Sequence, residues 1–444
     1  MSTASQTHEL IDFLSNTQDF PDQVLHEAKR CLLGFFAAAF AGIRSPIWQN
    51  ARQALDDLET AGQHPIIGSA RRYRAEEAAF LNAIAGNVLD FDDTHIPTII
   101  HPSSPLMPVL LSHAGSKQTN GKDFLRSIVV GIELMCRLGM ATHPDAYRRG
   151  FHVTATCGTA GASVAHGLLL NMTEQQLTDC LALGCNTSSG LIVNLATPAK
   201  AISVGYAARH AVTIPTFVLH GITGALAPME GSFGFLQAMS NSSNPTWLTS
   251  ELGSRWEILQ VAQKPYPTGV VLNPVIDASL AFYADADFDV NAVQSVEVYG
   301  HPLLKDRADR AIVGSTPDAR LSVQHTVAVT LLRGLPGTAA FEEPAYRDAD
   351  VQRLAHHVSV HVDDSIDVES CRIDIKTTTG QTVRQDIACG RGSLKNPLSD
   401  EDLELKCRIS AADLLSDTDL TELMQDIWQL EQMDDVGQIM RHLF

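Results

Sequence analysis

The 444-residue chain is poor in charge: only 19% of its residues are Asp, Glu, Lys or Arg, and only 6% are aromatic. Soluble domains usually carry about 25% charged residues. The deficit, beside 45% hydrophobic residues, points to extra interior or subunit interface, so a homodimer is expected. Positive charge is the scarcer sign, with 32 Lys and Arg against 51 Asp and Glu and a net charge of −19. That balance repels phosphate backbones and anionic lipid surfaces, so neither nucleic acid nor a membrane is an expected partner. The eight cysteines (Cys31, Cys136, Cys157, Cys180, Cys185, Cys371, Cys389 and Cys407) contain no CxxC, and several sit in apolar runs. A disulfide framework or zinc knuckle is therefore not expected, and the thiols read as reduced and buried. Long apolar runs are also missing. The stretch Cys31 to Ile43 is 13 residues, short of the roughly 20 that cross a bilayer. The start, MSTASQTHELIDFL, lacks a basic segment followed by an apolar one, which leads to an expected cytoplasmic location.

The length suggests two or three domains. From residue 8 to about 260 the pattern is helical and rich in small residues, with no β-alternation, which predicts an all-α block. Within it, Thr156 to Pro215 carries four charges: Glu174, Asp179, Lys200 and Arg209. Glu174 and Asp179 follow a helix start at Asn171-Met172-Thr173 and are expected to be solvated. Lys200 and Arg209 remain as cations in a neutral, packed region. After Lys264-Pro265-Tyr266-Pro267 the texture changes. Val358–Val362 alternates, Ser295–Tyr299 reads as a strand, and CRIDIK and TVRQDI flank a turn at Thr378-Thr379-Gly380-Gln381, as a hairpin requires. Helical patterns at about 274–284 and 318–333 interleave with these strands, and Ser399 to Phe444 is helical again. The expected fold is mainly α with a smaller α+β domain. Residues 1–262 and 397–444 form the helical domain and 263–396 the α+β lid.

The densest cluster of chemistry is Leu89-Asp90-Phe91-Asp92-Asp93-Thr94-His95, followed by His101-Pro102-Ser103-Ser104-Pro105. Ser104 before Pro105 reads as an N-cap and first helical residue, so His101 should lie near a helix N-terminus, where backbone N–H groups favour an anion. Four readings compete. A metal site has suitable ligand types but no paired-ligand spacing. A carbocation-forming DxDD acid needs an aromatic pocket that this composition does not offer. The others are a solvated loop with a helix cap and an acid/base site that binds an anion without a cofactor.

These residues resemble the signature of the MmgE/PrpD superfamily, which includes 2-methylcitrate dehydratases and cis-aconitate decarboxylases. Gly150-Phe151-His152 with Thr154 and Gly158–Ala162 resembles the family's second histidine motif. Ala196-Thr197-Pro198-Ala199-Lys200 with Gly205 and Ala207-Ala208-Arg209 is similar to its lysine segment. Lys264–Pro267, Pro274–Ala278, Ala319–His325 and Asn396–Ser399 resemble motifs of its second half. The resemblance implies a helical domain, an α+β lid and a polar site between them, usually in a homodimer. It implies action on a small di- or tricarboxylate by dehydration, decarboxylation or epimerisation, with no metal or organic cofactor. It places Asp90, Thr94 and His101 in a catalytic loop and His152 at the second histidine position. Lys200 and Lys264 are then expected to bind substrate carboxylates or transfer protons, with Arg209 and Ser103 as further binding residues. Each has a plain alternative: local capping for Asp90, a surface loop for His152, a structural ion pair for Arg209.

Two positions depart from the family pattern. Asn273 stands where many relatives carry histidine before Pro-x-Ile-Asp, and asparagine moves no proton near neutral pH. His325 stands where the decarboxylases resemble this motif with tyrosine, so it is either a catalytic proton donor or a packed helix-face residue. Both changes weigh against decarboxylation and leave a dehydratase-like lyase as the first expectation. An epimerase or isomerase of a similar substrate comes second, then a cis-aconitate decarboxylase-like enzyme. Outside the enzymes stands a non-catalytic polycarboxylate-binding protein.

Overall fold

The computed structural model describes residues 5–443, and they divide into two compact units. The first comprises residues 5–88, 92–261 and 400–443, and the second residues 89–91 and 262–399. The first unit is helical. Asp22–Gly42, Ala75–Asn87, Ser103–Ala114, Gly121–Thr142, Val153–Leu169 and Ala199–Leu219 pack around a core of Phe35, Phe36, Phe40, Leu81, Leu106 and Leu134. The C-terminal helices Asp400–Ala411 and Asp417–Trp428 return to it, the first against Asp22–Gly42. Small residues let these helices approach closely. A Cβ added at Gly42 would lie 1.9 Å from the Ala85 carbonyl oxygen, so only glycine permits that crossing.

Two expectations change here. A short antiparallel hairpin, Ala61–Ile66 with Ser69–Tyr73, interrupts the helical block. Pro65 and the run Arg71-Arg72 break the alternation that would have announced it. Packing on the Ala75–Asn87 helix and a bond from the Ile67 N–H to Asn82 Oδ1 (2.9 Å) hold it instead. Asp179 is buried rather than solvated, because its carboxylate accepts from the Gly224 N–H at 2.9 Å. Thr173 does cap Glu174–Asn186, in a reciprocal box with Gln176.

The second unit is built on a four-stranded sheet. Its order is Val358–Val362, Val293–Gly300, Cys371–Thr377, Thr382–Ile387; the first pair is parallel and the others antiparallel. CRIDIK and TVRQDI pair as predicted, with Ile375 opposite Val383 and Gly380 (φ +86°) in the turn. The helices Asn273–Ala284 and Val323–Arg333 bury Val275, Phe282 and Val327 with Val296, Val298, Ile373 and Ile375 of the sheet. None of the eight cysteines is in a disulfide, and no single helix among the described residues is long and apolar enough to cross a membrane.

Candidate functional site

In the helical unit, the residues after Ala75–Asn87 form a loop of buried polar groups. Asp92 is fully buried, and its Oδ2 accepts from Asn87 Nδ2 (2.8 Å) and Ser104 Oγ (2.5 Å). Asp93 accepts from the Ser103 N–H (3.2 Å) and Ser103 Oγ (2.5 Å). The two serines thus serve carboxylates rather than the helix end. The helix begins at Ser103 with Pro102 at the cap position, not at a Ser104 cap, because buried carboxylates are costlier to leave without donors than a helix end. Burial pushes the Asp93 carboxyl up to about 6 against the opposing pull of the Ser103 donors, and the Asp92 charge adds to the rise. Ile99 lies at φ +60°, two residues before His101. A β-branched residue there stores strain of about 1–3 kcal/mol, a feature concentrated at functional loops.

His101 is 5% exposed. Its N–H donates to Thr154 Oγ1 (3.1 Å), and its Nδ1 lies 2.9 Å from the Asp93 carbonyl oxygen, 3.2 Å from Thr94 Oγ1 and 3.5 Å from Asp92 Oδ1. A carbonyl oxygen only accepts, so Nδ1 carries a proton, and in the neutral ring the basic nitrogen is Nε2. Thr154 belongs to the first turn of Val153–Leu169, and His152 is its cap residue, so the two histidine motifs meet at one helix N-terminus. The His152 N–H donates to the Gly190 carbonyl (3.0 Å), and its Nδ1 lies 2.9 Å from Ser203 Oγ. That hydroxyl gives its single proton to the Lys200 carbonyl (2.7 Å), so His152 also holds its proton at Nδ1 and offers Nε2. Lys200 itself is 8% exposed in the first turn of Ala199–Leu219. Thr94, His101, Ser103, His152 and Lys200 are thus drawn into one buried neighbourhood within the helical unit.

Arg209 is not part of it. Two and a half turns beyond Lys200, its Nη2 donates to Glu77 at 2.6 Å, the structural ion pair that was its plain alternative. His95, the other imidazole of the motif, is also structural: Nδ1 meets Thr98 Oγ1 (2.7 Å) and Nε2 meets Glu257 (3.1 Å), while burial pulls its pKa down.

The second unit holds its own constellation. Asp90 sits in the left-handed region (φ +54°), and Lys264, 1% exposed, bonds both its carboxylate (2.6 Å) and its carbonyl (3.0 Å). Tyr266 donates to Asp277 at 2.6 Å, which also accepts from the Arg391 N–H. Asn273 Nδ2 reaches the Arg391 carbonyl at 3.4 Å, and its buried Oδ1 has no partner. His325 is held by Nε2 on the Ala340 carbonyl (2.8 Å) with its ring against Phe341, and burial lowers its pKa. Arg320 was not singled out in the sequence. It is 3% exposed, donates to Glu342 at 3.1 Å and keeps a buried Nε without an acceptor. Burial lowers its pKa to about 10, opposed by the charges of Glu342 and Asp90. Its place in a motif was visible; its burial, which is the signal, was not.

Family models agree with this division of motifs. The MmgE/PrpD N-terminal domain matches residues 10–248 and the MmgE/PrpD C-terminal domain residues 266–430. The chain belongs to the MmgE/PrpD family. Its curated relatives include a cis-aconitate decarboxylase of Homo sapiens, 26% identical over 430 residues that cover 93% of this chain and 89% of that one. A cis-aconitate decarboxylase of Aspergillus terreus is 25% identical over 98% of this chain and 95% of its own. The cis-aconitate decarboxylase-like protein of Aspergillus oryzae is 25% identical over 98% and 96%. In this MmgE/PrpD chain the His101 and His152 motifs fall in the N-terminal match, and Lys264, Asn273, Arg320 and His325 lie in or beside the C-terminal one.

Proposed function

We propose that this MmgE/PrpD protein is a lyase acting on a small di- or tricarboxylate, and that it dehydrates a citrate-like substrate through proton removal beside a carboxylate. The observation that carries this reading is the pair of buried histidines whose Nδ1 protons are tied down, which makes Nε2 the basic nitrogen of each neutral ring. Dehydration needs two proton movements: a base takes the proton on the carbon next to a carboxylate, and an acid protonates the departing hydroxyl. His101 Nε2 serves as the base. His152, in its protonated form, gives a proton to the leaving oxygen, which departs as water. Negative charge gathers on the carboxylate between these events and requires fixed cations. Lys200, in the same unit as the two histidines, is a buried cation suited to that work. Thr94 holds the His101 ring; within the second unit Asp90 positions Lys264, and the buried Oδ1 of Asn273 is an acceptor open to a hydroxyl donor. Ser103, Arg209 and His325 have polar groups bound within the fold, and we give them structural parts.

Decarboxylation is the second reading, favoured by the names of the relatives. There CO2 leaves and a single proton is delivered to the resulting carbanion. Incubating the protein in D2O with 2-methylcitrate, citrate, cis-aconitate and tartrate-like acids separates the readings. Loss of water supports the first, and CO2 release with one deuteron gained supports the second. Exchange with inversion marks an epimerase, and binding without exchange a protein without chemistry.

We also propose that the two compact units act as separate domains, that the protein is a homodimer, and that it resides in the cytoplasm. The dimer rests on a run of exposed apolar side chains between Leu191 and Phe233, among them Val193, Phe217, Ile222 and Leu226. Cytoplasmic residence rests on eight cysteines free of disulfides, and cell fractionation tests it.

A further inference from the structure

We propose that Asp92 is the positioning residue of His101: its carboxylate steadies the imidazole and stabilises its protonated form, while the Asp93 carboxylate takes no such part. The inference rests on the reading of His101 as the acid/base group. Asp92 Oδ1 faces His101 Nδ1 at 3.5 Å, and its Oδ2 is held from behind by Asn87 and Ser104. Two neutral donors on one oxygen favour the ionised carboxylate and leave the other oxygen directed at the ring. When Nε2 accepts a substrate proton, both ring nitrogens carry hydrogen and a positive charge appears in a buried site. Asp92 Oδ1 lies within reach of that charge.

Asp93 meets His101 only through its backbone carbonyl, while its carboxylate is turned to Ser103 and the Cys31 thiol. Two adjacent buried carboxylates disfavour double ionisation. The Asp93 carboxylate is bound away from the ring, whereas Asp92 Oδ1 faces it. The sequence offers Asp92 and Asp93 as equivalent letters; their donors separate them.

The test is a cycle of Asp92→Asn, His101→Gln and the double variant, assayed on whichever acid the wild type turns over. Asp92→Asn is expected to lower kcat by about 100-fold or more with KM within about threefold, and to cost nothing further once His101 is Gln. A kcat within about threefold of wild type, or losses that multiply in the double variant, overturns the proposal. Should Asp92→Asn fail to fold, Ser104→Ala removes one donor from Oδ2 and is expected to lower kcat by about threefold to tenfold; an unchanged kcat there overturns it equally. A second readout needs no turnover. With 13C-labelled histidine, the His101 resonance is the one missing from His101→Gln, and its titration midpoint is expected to move to lower pH in Ser104→Ala and Asp92→Asn. An unmoved midpoint sinks the proposal, whereas a wild type inert toward every acid in the panel sinks the proposed function alone.

Discussion

Lys200, His152 and Ser203 show how one side chain constrains another. The Ser203 hydroxyl has one proton and gives it to the Lys200 carbonyl, so the His152 tautomer follows from the start of the next helix. Replacing Ser203 with Ala should therefore disturb His152 more than Lys200. Lys200→Ala should raise KM about 10- to 100-fold, the loss of one charge-assisted carboxylate contact, with the thermal midpoint little changed; steady-state kinetics and a melting curve check it. Full affinity in that variant removes Lys200 from the substrate site. At this scale the letters alone do not say what a side chain meets. His95 and His101 are equivalent as letters, yet His95 is locked between Thr98 and Glu257 by both ring nitrogens, while His101 Nδ1 meets the Asp93 carbonyl.

At the scale of elements, close helix crossings carry the helical unit. Gly42→Ala would drive a methyl group onto the Ala85 carbonyl. The expected cost is about 3 kcal/mol or more, seen as a lowered unfolding midpoint in denaturant without a change in substrate profile. Helix faces also set an acid limit. His113 and His166 pack edge to face at 5.3 Å, and burial lowers both to about 4, with the Lys117 charge adding to it. The unfolded chain takes up those protons near pH 6.5, the folded one only near 4, so stability is complete above about 6.5 and declines as pH falls from there toward 4. His166→Asn keeps a donor for the Ala211 carbonyl, which His166 Nδ1 now meets at 3.1 Å, but cannot be protonated. It should lose less of its melting temperature than wild type between pH 7 and 4.5. The helical periods, the helix start at Asn171-Met172-Thr173 and the CRIDIK–TVRQDI hairpin were legible because each depends on residues close in sequence. The Ala61–Tyr73 hairpin was not, because its strands are held by a helix packed against them rather than by their own alternation.

For the whole molecule, charge and apolar surface are unevenly spread. Twelve acidic and two basic residues lie between Asp400 and Val436, so more than half of the net −19 belongs to the C-terminal return. The exposed apolar residues instead concentrate between Leu191 and Phe233, where Phe217 is 54% and Phe233 87% exposed. If that surface joins two copies, Phe217→Asp should convert a dimer into a monomer in light scattering, by placing a charge where association removes water. A monomeric wild type ends that reading. The deficit of charge noted at the outset thus has a place in the fold as well as a total.

Family membership, the mainly helical class with its smaller α+β part, and the identity of the ionisable residues were determined by the sequence alone. They reside in motifs and periodicities that involve neighbours along the chain. Tertiary structure decided which nitrogen of each imidazole carries the proton and which cations are paired. His101 owes its tautomer to a carbonyl eight residues earlier, His152 to a hydroxyl 51 residues away, and Arg209 its pairing to a glutamate 132 residues distant. Proton position and burial are properties of such meetings, and composition and spacing do not encode them.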